Sequence, residues 1–201
     1  MGSEQKYIYY ASGETKERSA ALPQMEKIRS RGYDALLFTD AVDEFLPEML
    51  HTFRDHEFRS ILNADLGLES EEEKQALEQQ QTADQELLKF IADSLDGKVK
   101  EAVLSANLGS HAVSIRPEGG MSFEMEKYFN RMNPGMGFAA PRVLELNAEH
   151  PAFAALKKAH AEDTEKAKKY VSLLYHQAIL IAGLPLEDPT AFADEICSLM
   201  K

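Results

Sequence analysis

The run KAKKYVSLLYHQAILIAG, from Lys166 to Gly183, constrains this chain more than any other stretch. Ala167, Tyr170, Val171, Leu174, Ala178, Ile181 and Ala182 recur at steps of three and four, which defines one face of a helix. Leu173 and Leu180 add a second row, so the apolar surface is wider than packing on one side of a small core needs. Gly183 ends the helix and Pro185 cannot continue it; Asp188 as N-cap and Pro189 at the first helical position begin another. That second helix carries Phe192, Ile196, Leu199 and Met200 on one side. A hairpin of this kind over residues 163–201 either docks on its own domain or pairs with a second copy. Self-pairing into a four-helix bundle is favoured, because two-fold dimers are the commonest closed assembly. The expected dimer interface is Tyr170, Leu173, Leu174, Ala178, Ile181, Phe192, Ile196 and Leu199.

The beginning of the chain has a different rhythm. KYIYYA (6–11) reads as a strand closed by Ser12 and Gly13, residues 14–31 as a helix with Pro23 at a start or break, and YDALLF (33–38) as a strand covered on both faces. A helix with Phe45, Leu46, Met49 and Leu50 follows, then a short strand over 58–62. Strand and helix in alternation predict a small parallel βαβαβ subdomain over residues 1–66. ESEEEKQALEQQQ (69–81) is nearly free of large apolar residues, so 67–81 is expected to be an acidic linker or exposed helix start, with Ser70 and Glu73 placed for a capping box. Residues 82–201 are expected to form an α+β domain. Its strands lie over 99–104, 112–115 and 142–146, the first two paired through the NLGSH turn, and it ends in the helix hairpin.

Charge and composition exclude several functions. The formal net charge of -12 is wrong for nucleic acid and for anionic membrane surfaces, which need clustered Lys and Arg. The single cysteine, Cys197, forbids an internal disulfide and suits a reducing, cytoplasmic setting, where it reads as a small helix residue near the hairpin seam. No apolar run has the length of a membrane span, and no signal peptide opens the chain. Met1, Gly2 and Ser3 read as a remnant of expression, so the chain is expected to be a piece of something longer.

Catalytic patterns are missing. YASGETK has neither the GxGxxG fingerprint nor a GKS or GKT ending, the six histidines offer no HExxH, and there is no nucleophile elbow. His51 and His56 read as solvated, and His150 as a structural hydrogen-bonding group ahead of Pro151. Asp43 with Glu44, and Glu187 with Asp188, sit where helix starts favour negative charge. No catalytic residue and no metal ligand is therefore assigned. One surface stands out instead. Met121, Met125, Tyr128, Phe129 and Met132 fall on one helical face between the breakers Pro117–Gly120 and Asn133–Gly137. Periodicity by itself favours a core role for them, whereas methionine content and mobile flanks favour an exposed face that binds apolar partners.

Several segments together resemble one family, the heat-shock protein 90 molecular chaperones in their bacterial form. QKYIYYASGE is similar to the opening of the last subdomain of that family's middle domain. IRSRGYDALLFTDAVDEF resembles its second strand and the turn after it, with Ala41 where the family usually has proline. SANLGSHAVSI, LELNAEHP and SLLYHQAILIAGLPLEDPTAFADEI resemble successive pieces of the C-terminal dimerisation domain. The resemblance implies a homodimer and an amphipathic helix, carrying Met121, Met125, Tyr128 and Phe129, that contacts unfolded or partly folded client proteins. Other chaperones are further expected partners. ATP and magnesium are expected in a nucleotide-binding domain upstream of Met1, so the chain itself is not expected to hydrolyse ATP. The absence of an MEEVD ending removes the expectation of a tail-docked tetratricopeptide co-chaperone. The rival reading is a small nucleotide-responsive α/β domain or enzyme built on residues 6–66.

Overall fold

A computed structural model describes residues 5–40 and 42–200. The proposed expression remnant at Met1–Ser3 and the Ala41 substitution lie outside the described residues. Two compact units are present, one of Met1–Leu68 with Pro117–Pro141, the other of Glu69–Arg116 with Arg142–Lys201.

The first unit is built on β1 (Tyr7–Ser12), whose alternation sends Tyr7, Tyr9 and Ala11 to one buried face. That face packs with Ile61, Leu66 and the Met25 and Ile28 side chains of α2 (Pro23–Ser30). Tyr9 also donates its hydroxyl to the Leu66 carbonyl at 2.7 Å, so a buried phenol is satisfied as well as packed. Gly67 lies so close to Tyr7 that an added Cβ would fall 2.7 Å from the ring, and its φ of 66° is itself a glycine conformation. The helical stretch expected over 14–31 is two helices, α1 (Lys16–Ala20) and α2, because Pro23 takes the first position of a new helix.

The sheet order is β2-β1-β4-β3, with β2 (Leu36–Phe38), β3 (Thr52–Phe53) and β4 (His56–Ser60). β1 pairs in parallel with β2 and β4, as the alternation predicts, but β3 turns back antiparallel on β4, so the sheet is mixed and not wholly parallel. The cause is local: Arg54 and Asp55 adopt φ of 48° and 66°, the left-handed pair that closes a two-residue hairpin. β2 is an edge strand and Leu36 is exposed, contrary to the expectation of cover on both faces. Between β2 and β3 lie a 3-10 turn (Asp43–Phe45) and the one-turn helix α3 (Leu46–Leu50), with Pro47 at its start.

The second unit opens with α4 (Glu71–Ala83), capped by the Ser70–Glu73 box: the Ser70 hydroxyl accepts from Glu73 N and the Glu73 carboxylate accepts from Ser70 N. The acidic stretch is thus a regular helix beginning at Glu71, and it buries no residue. α5 (Gln85–Asp93) buries Leu87, Leu88 and Ile91. At the junction Lys157 of α7 (Pro151–Glu162) donates to the buried Asp84 carboxylate.

Strands β5 (Glu101–Leu104), β6 (Val113–Pro117) and β7 (Arg142–Leu146) order as β5-β7-β6. This corrects the pairing of the first two strands through NLGSH. The eight-residue link 105–112 is long enough to cross two strand spacings, about 10 Å, leaving a slot that β7 fills. β7 runs parallel to β5, and Asn147 just past its end bonds the Ala112 carbonyl just before β6 begins, so that pair is antiparallel. Being central, β7 buries Val143, Leu144, Glu145 and Leu146 in succession. The buried Glu145 lies 3.5 Å from Arg116.

Candidate functional site

Two surfaces carry the residues singled out above. The first is α6 (Phe123–Met132) in the first unit. Its start is fixed by Ser122, whose hydroxyl accepts from Met125 N at 3.0 Å, and the chain enters it through Gly119 and Gly120, both at φ above 80°. Met125 is buried, with Phe123 and Glu126; Met121, Tyr128 and Phe129 are half-buried. Tyr128 stands edge-on to Phe45 at 5.8 Å and to Phe129 at 5.8 Å, and Phe129 meets Phe138 at 5.6 Å. The exposed apolar groups lie further along, Met132 at 64% and Met136 at 70%.

Sequence reasoning treated Asn133–Gly137 only as a flexible flank. The structure shows how it is held: Asn130 donates to the Phe138 carbonyl at 2.7 Å and accepts from Phe138 N at 2.9 Å, while Glu126 accepts from Ala140 N at 2.8 Å. Glu126 and Asn130 stand four apart on one face, which was the signal available in the sequence. The result is a pinned loop with a methionine at its tip. Such a surface offers an adaptable, polarisable contact while its backbone stays in place.

The second surface is the hairpin of α8 (Thr164–Ile181) and α9 (Pro189–Ser198). Asp163 and Asp188 cap the two helices by accepting from Lys166 N and Ala191 N. Gly183, at φ 66°, bonds Leu180 O while Leu184 N bonds Ile179 O, a left-handed cap with Leu184 and Ile179 both buried beside it. Of the expected interface residues, Leu173, Leu174, Ala178 and Phe192 are buried within the single chain, Tyr170 and Ile181 are half-buried, and Ile196 and Leu199 are exposed. Leu180 and Met200 are exposed as well. The second row of α8 is therefore split: Leu173 is buried together with the first row, and Leu180 is exposed.

Between α8 and α9 lies a Ser172, His176 and Glu195 cluster that sequence reasoning missed. Ser172 donates to the Glu195 carboxylate at 2.9 Å, His176 lies 3.9 Å from that carboxylate, and its ring is 5.3 Å from Phe192. Because the serine proton is committed to the carboxylate and not to the imidazole, the set ties two helices together and does not build a nucleophile. His150 accepts from Ala152 N at 3.1 Å and caps α7, the structural role expected of it. Among the described residues no three His, Cys, Asp or Glu side chains gather to hold a metal ion, and no helix is long and apolar enough to cross a membrane.

Comparison with known proteins places this architecture. The family model described as Hsp90 protein matches residues 1–201. Proteins called Chaperone protein HtpG are similar along the whole chain: that of Clostridium acetobutylicum is 45% identical over 201 residues, and that of Clostridium botulinum strain 657 is 44% identical over 201. The Bacillus velezensis protein of that name is 42% identical over 200 residues. The chain belongs to the heat-shock protein 90 family, in its bacterial HtpG branch. It is fully covered in these matches and spans 32% of each of these relatives.

Proposed function

We propose that this chain is the joining and client-contacting part of a cytoplasmic, ATP-dependent chaperone, pairing with a second copy through α8 and α9. The observation that carries the reading is that Leu180 on α8 and Ile196, Leu199 and Met200 at the end of α9 stay exposed after the hairpin has buried Leu173, Leu174, Ala178 and Phe192. Apolar side chains left exposed on both helices of a hairpin are what a copy related by a two-fold axis would cover in a four-helix bundle. The client surface in this reading is the outer part of α6 with its pinned loop: Tyr128, Phe129, Met132 and Met136, with Met121 at the near end and Met125 supporting it from inside. ATP and magnesium belong to the intact family protein, and no residue of this chain is assigned to them.

The test of the client surface is suppression of aggregation of a thermally unfolding protein. Met132→Ser with Met136→Ser removes exposed apolar area, so capture should fall several-fold while stability moves by no more than about 0.5 kcal/mol, as for ordinary surface changes. Unchanged capture by the folded double variant would refute the assignment. Met125→Ser is a packing control and should cost roughly 2 to 5 kcal/mol.

A further inference from the structure

The loop after α6 leaves two thioethers in solvent. Met132 and Met136 are open at 64% and 70%, whereas Met25 and Met125 of the same unit are 0% and 7% exposed. Every residue from 131 to 137 is exposed, and a Cβ added at Gly135 or Gly137 would meet nothing within 4 Å. A small oxidant, and afterwards an enzyme, can therefore reach both sulfur atoms without any opening of the fold.

The backbone beneath them is held by other groups. Asn130 bonds both polar groups of the Phe138 main chain, and Glu126 accepts from Ala140 N, so neither methionine side chain closes the loop. Phe129 and Phe138, 5.6 Å apart, pack at its base. Oxidation at the two sulfurs thus alters the chemistry of the surface while its shape persists. Methionine sulfoxide is polar, and it no longer offers the soft, apolar contact of the thioether.

We propose that Met132 and Met136 are a reversible oxidation site, through which peroxide lowers client capture; this rests on α6 and its loop being the client surface. A lone pair on each sulfur attacks one oxygen of hydrogen peroxide, the O–O bond breaks, and the second oxygen leaves as water after a proton passes to it. Sulfur loses two electrons and peroxide gains them. A methionine sulfoxide reductase reverses the step: two thiols become a disulfide, and the sulfoxide oxygen departs as water. Both epimers of the sulfoxide form, so full reversal needs both classes of that enzyme.

The experiment treats the whole chain with hydrogen peroxide, removes the peroxide, and measures sulfoxide at each methionine by mass spectrometry alongside suppression of aggregation. Every variant carries Cys197→Ser, because the exposed thiol would also react. Met132 and Met136 should oxidise several-fold faster than Met25 and Met125, and capture should fall several-fold with unchanged circular dichroism. Treatment with both reductases and a thiol reductant should restore it. Met132→Leu with Met136→Leu keeps the apolar surface but cannot form sulfoxides, so it should capture equally before and after peroxide. Met49→Leu, which removes the 81% exposed methionine of α3, should lose capture as the unaltered chain does. Oxidation of Met132 and Met136 no faster than of Met125, or equal loss of capture by the oxidised leucine pair, would overturn the oxidation site. Full capture by the oxidised chain, where Met132→Ser with Met136→Ser fails to capture, would overturn it alone; full capture by that serine pair would overturn the client surface and this site with it.

Discussion

At the scale of single residues, the groups that matter most to stability are buried charges whose partners sequence could not name. Asp84 closes α4 and begins α5, and its carboxylate, 4% exposed, is held by Lys157 from α7. Removing one member of such a pair leaves a charge without its counter-ion, which in a buried site costs more than the pair contributes. Lys157 itself is largely exposed, which lowers that cost. Lys157→Met should therefore destabilise the second unit by about 2 kcal/mol, measured by urea unfolding. The double change with Asp84→Leu should recover most of that loss. Glu44 makes the same point about legibility. Its place at a helix start was visible in the sequence, but its burial against Tyr10 is a tertiary fact that no local pattern carries.

At the scale of elements, most of what was legible lay in caps and breakers, because these act within a few residues. Ser70 with Glu73, Asp188, Pro23 and Gly183 each sit where their chemistry predicts. What stayed hidden was partner choice. Periodicity identified three strands in the second unit but could not say that β7 enters between β5 and β6. Likewise it set Leu173 and Leu180 in one row on α8, although the first is buried and the second exposed. Since α4 buries no residue, its cap should matter more than usual: Ser70→Ala should cost about 1 kcal/mol and speed amide hydrogen exchange over 71–83 first.

The turn between α8 and α9 offers a pH test. Glu187 bonds Lys98 at 2.8 Å, which holds its carboxyl below the ordinary 4.5 and holds the Lys98 ammonium above 10.5. The contribution of Glu187 is thus complete above pH 4.5 and lost as pH falls through its lowered folded value. That of Lys98 is complete below pH 10.5 and lost as pH rises through its raised value. Both groups are substantially exposed, so the bridge contributes less than about 1 kcal/mol. Melting curves of Lys98→Met and the unaltered chain should differ slightly at neutral pH and converge in acid below 4.5.

At the scale of the whole molecule, the account turns on whether the exposed apolar residues of the hairpin join two copies. Each chain carries a formal charge of -12, so two copies repel at long range, and added salt should tighten the pair by screening. The choice of variant follows from burial. Leu174 lies inside the chain, so an aspartate there would unfold the hairpin instead of parting two copies, whereas Ile196 and Leu199 face outward. The most direct measurement is sedimentation velocity over a concentration series of the unaltered chain and of Ile196→Asp with Leu199→Asp, each checked for helical content by circular dichroism. The account predicts twice the chain mass for the unaltered protein at high micromolar concentration and a folded single chain for the variant. A monomer throughout the series, or a dimer that survives both aspartates, would contradict it.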